Sequence, residues 1–286
     1  MFETQFRNVA VFKDTQAFYR TDPVLIRAVE ASCRGTEFFR ADAYPDLGPA
    51  APEGAARGGQ IRLDNARTLE AAMKLHKEFP DKKIAVLNFA SANNPGGGVK
   101  RGSGAQEEAL CRCSTLYPAL DQRMLWDQYY DVNRDAGNSL YTDALIYSPG
   151  VMICKTDNSD PQRLPQEDFV AVDVITCAAP NLRFQDAPPD IYEIHLSRAR
   201  HIFHIAAYKK VDILVLGAFG CGAFRNDPAI VSRAWREAQT AYRNRFDVIE
   251  YAIPRNASNS ENYDAFRETM QPLLREDPSG SAGKEA

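Results

Sequence analysis

One stretch of the chain decides its fold: Asn88-Phe-Ala-Ser-Ala-Asn-Asn-Pro-Gly-Gly-Gly-Val-Lys-Arg-Gly-Ser-Gly-Ala-Gln-Glu-Glu108. It continues an apolar run, 83–89, with the composition of a strand buried on both faces. Its three consecutive glycines take positive φ easily and expose their N–H groups. Ser103-Gly-Ala-Gln106 fits the S-x-x-Q capping box that opens a helix. The stretch therefore predicts a strand, a glycine loop and a helix, with Glu107 and Glu108 in the first helical turn.

Two explanations fit the paired glutamates. Acidic side chains in a first turn complement the helix dipole, and many Glu-Glu pairs do only that. Two carboxylates beside a glycine loop, where a helix meets the carboxyl end of a parallel strand, instead form a crevice of the kind in which α/β sheets bind nucleotides. Because Gly96, Gly97 and Gly98 stand just upstream, we favour an active site whose loop amides face phosphate or ribose oxygens.

A second strand, glycine loop and helix occur later in the chain. Residues 211–216 are predicted as a buried strand, Gly217-Ala-Phe-Gly-Cys-Gly-Ala-Phe-Arg225 as a flexible turn, and Asn226-Asp-Pro228 as a helix start. The loop has neither the Gly-Lys-Ser/Thr of a Walker loop nor the G-x-G-x-x-G of a dinucleotide site. A tight turn alone explains one such loop, but two loops in one sheet favour a site. Backbone amides at 218–223, helped by the helix N-terminus, can hold a diphosphate without a cation.

These segments resemble the poly(ADP-ribose) glycohydrolases, which are built on a macrodomain. The signature is Gly96-Gly97-Gly98, seven residues, and then Gln106-Glu107-Glu108. The flanking residues 89–98 and Leu110-Cys-Arg-Cys-Ser-Thr-Leu-Tyr-Pro118 resemble the bacterial-type branch. The resemblance implies a macrodomain-like three-layer α/β/α fold. It also implies hydrolysis of ribose-ribose O-glycosidic bonds in poly(ADP-ribose), with release of ADP-ribose.

The resemblance further implies a role for each site residue. Glu108 protonates the leaving oxygen and then takes a proton from water, while Glu107 hydrogen-bonds the ribose hydroxyls. Repulsion between the two carboxylates raises one pKa toward neutral pH. Gln106 is a cap of the helix and a positioning residue. Ser91 contacts the distal ribose, at a position where many relatives carry Asn. The implied substrate-binding residues, with Phe224 against the distal ribose, are Ser91, Gly96, Gly97, Gly98, Gln106, Gly217, Ala218, Phe219, Gly220, Cys221, Gly222, Ala223 and Phe224.

Two other functions use the same loops. The chain could remove single ADP-ribose units from protein side chains, and its sequence hardly separates this activity from cleavage of the polymer. It could also be a macrodomain that binds ADP-ribose without cleaving it. A binding module has no use for the Gln-Glu-Glu set, so Glu108 favours an enzyme. The expected partners are poly(ADP-ribose) or ADP-ribosylated proteins, with ADP-ribose as the product.

Composition narrows the remaining classes of partner. The net charge of −4 gives no global basic field, so we expect no sequence-specific nucleic acid partner. No apolar run approaches a membrane span, and residues 1–7 lack the apolar core of a signal peptide. We therefore expect a cytoplasmic protein without a membrane partner. Its six cysteines form no C-x-x-C pair, which indicates reduced thiols.

Three histidines raise the question of a metal. His195, His201 and His204 lie on a predicted helix, 191–210. Zinc normally takes three or four ligands, and no cysteine or H-E-x-x-H pattern accompanies them. We interpret them as solvated residues near a helix end and expect no metal, redox or other cofactor.

The chain divides into three predicted parts. Residues 1–59 form a helical extension outside the core, followed by a Pro/Gly/Ala-rich loop, 60–274 the catalytic core, and 275–286 a disordered tail. The predicted fold class is α/β, a mixed sheet of about six strands between helices, with the amino-terminal helical extension.

Overall fold

The fold is built on a seven-stranded mixed sheet. A computed structural model describes residues 2–48, 59–255 and 260–274, in which the strands are β1 (Glu37–Phe39), β2 (Gln60–Asp64), β3 (Ile84–Phe89), β4 (Leu145–Ile153), β5 (Val170–Cys177), β6 (Ile213–Leu216) and β7 (Val248–Ala252). The helices are α1 (Phe2–Thr21), α2 (Pro23–Gly35), α3 (Thr68–Glu78), α4 (Gln106–Cys113), α5 (Leu116–Leu120), α6 (Arg123–Leu125), α7 (Asp131–Ala136), α8 (Ile191–Tyr208), α9 (Pro228–Thr240) and α10 (Ser260–Met270). The predicted tail, and residues 49–58 of the predicted loop, lie outside the described residues.

Strand order brings the two glycine loops together. The order is β1-β4-β5-β3-β6-β7-β2; β4 pairs antiparallel with both β1 and β5, and every other neighbouring pair is parallel. This confirms the predicted α/β class and mixed sheet. Because β3 and β6 are parallel neighbours, the loops that follow them leave the sheet at the same carboxyl edge.

Apolar side chains cover both faces of the sheet. One buried cluster joins the sheet to α3, α4 and α5 through residues such as Leu69, Leu110 and Leu116. The other joins it to α8 and α9 through residues such as Phe203 and Trp235. Continuous burial of this kind produces the three layers and accounts for strands that are apolar on both faces.

The sheet contains a strand that the sequence did not predict. β1 has only three residues and pairs antiparallel with β4, where Phe38 lies opposite Ile146. Three residues are too few to show a period-2 pattern, and the partner strand is about a hundred residues away in the chain. A pattern read locally could not find this pairing.

The sequence predicted that the amino-terminal helices lie outside the core, and this prediction was wrong. Phe12 of α1 is buried in the main apolar cluster, and its ring meets that of Tyr117 with centroids 5.1 Å apart. Asn8 Nδ2 donates to Gly102 O at 3.0 Å, so α1 also supports the end of the first glycine loop. The buried Lys155 ties the helix down through Asp14, with 2.7 Å between Nζ and Oδ2. The domain boundary after residue 59 stays a prediction.

The prediction of solvated histidines was wrong. His195 and His201 are 1% and 0% exposed, and Nε2 of His195 lies 2.9 Å from Oδ1 of Asn226. His204 Nε2 lies 2.7 Å from Pro45 O. These rings lock α8 to neighbouring segments, because their face of α8 packs against loops whose positions the local sequence does not specify. Across the described ranges, no helix combines the length and the apolar character that crossing a membrane requires.

Candidate active site

The start of α4 fixes the two glutamates. The helix begins at Gln106, so Glu107 and Glu108 stand in its first turn as predicted. The predicted capping box is wrong, since the N-cap residue is Ala105 and no side chain caps the helix. Ser103 belongs instead to the glycine loop, because its N–H donates to Gly98 O at 3.2 Å and its carbonyl accepts from Arg112 at 2.6 Å.

Gln106 holds the helix start against β3. Its Oε1 accepts from Phe89 N at 2.9 Å, and its Nε2 donates to Leu87 O at 2.7 Å. The same Nε2 lies 3.1 Å from Thr68 Oγ1 of α3. The side-chain amide thus satisfies backbone groups of β3 at the point where this strand leaves the sheet. Gln106 is a positioning residue, and the expectation that it caps the helix is not met.

Glu107 is buried, and the protein already uses both of its oxygens. It is 3% exposed, and its Oε2 accepts from Ser91 N at 2.7 Å while its Oε1 accepts from Asn88 Nδ2 at 3.3 Å. Burial, reinforced by the charge of Glu108, raises the pKa of Glu107 to about 8. Repulsion between the pair was expected to raise one pKa, and the raised pKa belongs to Glu107.

Glu108 is held at one oxygen only. It is 6% exposed, and its Oε1 accepts from Gly98 N at 2.8 Å. Its Oε2 is buried and has no hydrogen-bond partner among the described residues. Leaving a buried carboxyl oxygen unpaired costs free energy, and such an atom in a native site calls for a ligand. Oε2 of Glu108 is therefore the atom of the pair that is available to a substrate.

The first glycine loop closes over the carboxylates. Gly97 has φ 56°, and a Cβ on it would lie 2.5 Å from Oε1 of Glu108 and 2.8 Å from Oε2 of Glu107. The N–H of Gly97 donates to Asn94 O at 3.0 Å, and that of Gly98 donates to Glu108. These two amides were expected to face substrate oxygens, but the protein uses both to shape the loop. Only glycine combines this φ with so close an approach.

The second glycine loop has both structural and open positions. A Cβ on Gly217 would lie 2.9 Å from Ala252 O, and one on Gly220, where φ is 78°, would lie 2.5 Å from Ala179 Cβ. Gly222 has nothing within 4 Å, so this part of the loop is open. Phe219 is buried between Phe89 and Trp235, so its ring belongs to the core.

The end of this loop carries the half-buried Phe224 and Cys221. The Phe224 ring lies 6.5 Å from that of Tyr141. Asp227 caps α9 by accepting from Ala229 N at 2.8 Å, within the segment predicted as a helix start. This carboxylate is negative and already accepts a hydrogen bond from one amide of the helix end. The N-terminus of α9 therefore binds an anion less strongly than the sequence indicated.

Two residues that position the site were missed in the sequence. Asn226 Nδ2 donates to Pro180 O at 2.7 Å and to Gly220 O at 3.0 Å, while its Oδ1 faces His195. Asn88 stands at the end of β3 and joins Glu107 to Thr176 Oγ1 at 3.2 Å. Burial lowers the pKa of His195 to about 4, so the ring is neutral and donates through Nε2. A polar residue inside an apolar strand was the available signal for Asn88.

The described residues contain no group of three or more His, Cys, Asp or Glu side chains arranged to hold a metal ion. The cysteines are all unpaired, and Cys111 and Cys113 are buried. The site thus consists of two carboxylates, two glycine loops and the amides that hold them.

Comparison with known proteins agrees with this arrangement. The family model of the microbial-type PARG catalytic domain matches residues 12–156. The chain is 37% identical to the poly(ADP-ribose) glycohydrolase from Deinococcus radiodurans in complex with ADP-ribose, with TM-score 0.74 over 86% of this chain and 98% of that one. It is 30% identical to the Thermomonospora curvata enzyme bound to the inhibitor ADP-HPD, with TM-score 0.76 over 91% and 98% of the two chains. A comparison with curated proteins returned no match.

The matched segment contains the glycine triplet and both glutamates. The solved structures are covered almost end to end at identities of 37% and 30%. The chain therefore belongs to the family of microbial-type poly(ADP-ribose) glycohydrolases.

Proposed function

We propose that this chain hydrolyses the ribose-ribose O-glycosidic bond of poly(ADP-ribose) and releases ADP-ribose, with Glu108 as general acid and base. One observation carries the assignment: Oε2 of Glu108 is buried and has no hydrogen-bond partner within the described part of the chain, while both oxygens of Glu107 accept hydrogen bonds. The family and the ADP-ribose bound to the Deinococcus enzyme support the choice of substrate.

The reaction needs one proton donor that later becomes a proton acceptor. Glu108 gives its proton to the leaving ribose oxygen as the C–O bond breaks, and the electron pair of that bond goes to the oxygen. The sugar carbon becomes oxocarbenium-like until water adds to it, and the Glu108 carboxylate takes the proton of that water. The enzyme returns to its starting state without another reagent.

Glu107 sets the charge of the site. Burial raises the pKa of Glu107 to about 8, so this carboxyl is largely uncharged near neutral pH and adds little negative charge beside Glu108. The acid step needs a separate proton on Oε2 of Glu108 when substrate is bound. Glu107 also holds the Ser91 amide, so it fixes the floor on which the distal ribose is proposed to lie.

The second glycine loop is the proposed diphosphate site. Among the described residues, the amides of Gly222, Ala223 and Phe224 donate to no protein group, and Gly222 and Ala223 are exposed. Unpaired amides of this kind bind phosphate oxygens through fixed partial charges. The substrate diphosphate lies there and the distal ribose between Phe224 and the glutamates, which puts the reacting carbon beside Glu108.

Exchange of each glutamate for glutamine tests the assignment. Glu108→Gln keeps the size of the carboxyl but cannot transfer a proton, so we expect kcat to fall about 10²- to 10⁴-fold with ADP-ribose binding unchanged. Glu107→Gln is the matched variant, and it should slow cleavage through misplacement of the ribose.

Product release from purified poly(ADP-ribose) and calorimetric titration of ADP-ribose measure the two quantities. If Glu108→Gln stays within a few-fold of the parent while Glu107→Gln is inactive, the roles are reversed. If both stay active, the glutamates only complement the helix dipole.

A further inference from the structure

A loop outside the proposed ADP-ribose site forms one wall of its mouth. Residues 178–190 follow β5 and lie beside the end of the second glycine loop. Leu182 N donates to Phe224 O at 2.9 Å, and Arg183 Nε donates to Ala223 O at 3.1 Å. Asn181 N donates to Ser139 O at 2.8 Å, which joins the loop to the segment before β4. The wall is therefore held in place by hydrogen bonds to backbone carbonyls of two neighbouring segments.

The wall ends in an exposed aromatic ring beside an arginine. Phe184 is 88% exposed, and its ring centroid lies 5.8 Å from the Arg183 guanidinium carbon. Arg183 is exposed and forms no ion pair with any residue of the described ranges, so no carboxylate neutralises its charge. Its Nε is engaged by Ala223, which aims the rest of the guanidinium outward. An arginine fixed in this way is pre-organised to bind a phosphate.

Backbone strain is concentrated at the same rim. Within the described chain, Tyr141, Lys210 and Arg225 are the non-glycine residues with positive φ. Tyr141 contacts the Phe224 ring and Arg225 follows Phe224, so two of these three residues flank one aromatic side chain. Strain of this kind persists where surrounding contacts hold a site geometry.

We propose that Phe184, Arg183 and Tyr141 form a second subsite, which takes the next ADP-ribose unit of the polymer. The inference rests on the proposed function. The bond to be cleaved joins the distal ribose to the adenosine ribose of the next unit, so the leaving chain starts where Phe224 meets the distal ribose. Phe184 lies two residues beyond Leu182, which contacts Phe224, and this distance is at most about 7 Å along the chain.

The chemistry of the wall fits one nucleotide unit. The next unit offers a purine face and a diphosphate within one molecule, as the wall offers a free aromatic face and an unpaired cation side by side. Adenine stacks on Phe184 because every base has a π-face. The diphosphate of the same unit lies at Arg183, and Tyr141 closes the side toward the distal ribose.

Substitution of Phe184 separates this subsite from the ADP-ribose site. Phe184→Ala should raise KM for purified poly(ADP-ribose) chains about 5- to 100-fold, the loss expected for one stacked base. Phe184→Tyr should restore the parent KM, and calorimetric Kd for free ADP-ribose should stay within about two-fold for both variants. Tyr208→Ala is the control, because this 40% exposed ring ends α8 at the opposite edge of the sheet.

Each outcome decides the proposal. If the parent cleaves chains and Phe184→Ala has the parent KM, there is no subsite at Phe184. If Phe184→Ala raised the Kd for free ADP-ribose as much as the KM for chains, the proposal would also be overturned, since Phe184 would then belong to the first site. A defect confined to protein-attached chains would assign the wall to the modified protein. Failure of the parent to cleave any chain would instead refute the proposed function.

Discussion

Among individual residues, the two glutamates at the start of α4 show how surroundings set the properties of a side chain. Glu107 and Glu108 are neighbours in sequence, yet their surroundings differ. Glu107 has two hydrogen-bonded oxygens and a raised pKa, while one oxygen of Glu108 has no hydrogen-bond partner among the described residues. The two identical side chains therefore have different surroundings, as in other paired-carboxylate sites, and this difference supports the different roles proposed for them.

The raised pKa of Glu107 predicts how stability depends on pH. Its folded pKa of about 8 exceeds its ordinary value of 4.5, so the unfolded chain loses this proton first as pH rises. The contribution of Glu107 to stability is complete below pH 4.5 and is lost as pH rises through about 8. Glutamine does not ionise, so Glu107→Gln does not lose stability in this way as pH rises. The Tm of the variant relative to that of the parent should therefore increase across that window.

Thermal unfolding at a series of pH values measures this difference. Glu193→Gln serves as the control, because Glu193 is an exposed residue on α8. A Tm difference that stays constant across the window would contradict the buried, uncharged state of Glu107.

Gly97 gives the second prediction at this scale. Gly97→Ala brings a Cβ to 2.5 Å from Oε1 of Glu108, which must move. A displacement of about 1 Å costs on the order of 10²-fold in rate, so kcat should fall by about that factor. Gly137→Ala is the matched control, since Gly137 also has positive φ, 59°, but has nothing within 4 Å. Equal loss in both variants would mean that backbone strain, and not the glutamate, is responsible.

Among the elements, β3 and β6 build the site jointly, because they are parallel neighbours and each ends in a glycine loop at the same edge of the sheet. The first loop closes on the carboxylates, while the second leaves amides open. We therefore propose that the first loop holds the reacting carboxylates and that the second holds the diphosphate. Asn226 fixes the second loop from behind through Gly220 and Pro180.

This division predicts which ligands stabilise the protein. A ligand that binds only the folded state adds RT ln(1 + [L]/Kd), about 2.7 kcal/mol at a hundredfold excess over Kd. ADP-ribose should raise Tm more than AMP, because AMP lacks the second phosphate and the distal ribose. Gly220→Ala should remove most of the difference, since its Cβ would lie 2.5 Å from Ala179 Cβ and displace the loop.

Differential scanning fluorimetry with each ligand is the measurement. An equal Tm shift from AMP and ADP-ribose in the parent would mean that Gly217–Phe224 holds neither the second phosphate nor the distal ribose.

In the molecule as a whole, the first helix is joined by hydrogen bonds to the segment that carries the candidate site. α1 contacts the loop end at Gly102 through Asn8, and Thr15 Oγ1 donates to Arg112 O at 2.5 Å. Arg112 in turn donates to Ser103 at the base of the glycine loop. A chain of hydrogen bonds therefore links the first helix of the protein to the loop that holds Glu108.

We expect the activity of the whole protein to be insensitive to metal chelators. The proposed acid is a carboxyl, and no group of three metal-ligating side chains occurs among the described residues. Release of ADP-ribose from poly(ADP-ribose) in EDTA should match the rate in buffer alone. Complete loss in EDTA, reversed by Mg²⁺, would move the protein toward the metal-dependent ADP-ribosyl hydrolases.

Local sequence patterns were enough to predict the order of the elements around the site. An apolar run, a glycine triplet and a helix start lie within one short segment, so it predicted β3, its loop and the first turn of α4 correctly. The same reasoning found β6 and the start of α9. These features depend on neighbours within a few residues, where periodicity and backbone freedom act directly.

The way these elements combine depends on contacts between distant parts of the chain. β1, the burial of His201, the contacts of Asn226 and the true partners of Gln106 all join residues far apart in the chain. The pKa of Glu107 is raised because distant strands and helices remove water from it, and no pattern of neighbouring residues states that burial. The sequence places two carboxylates side by side, but desolvation by the folded chain is what raises the pKa of Glu107.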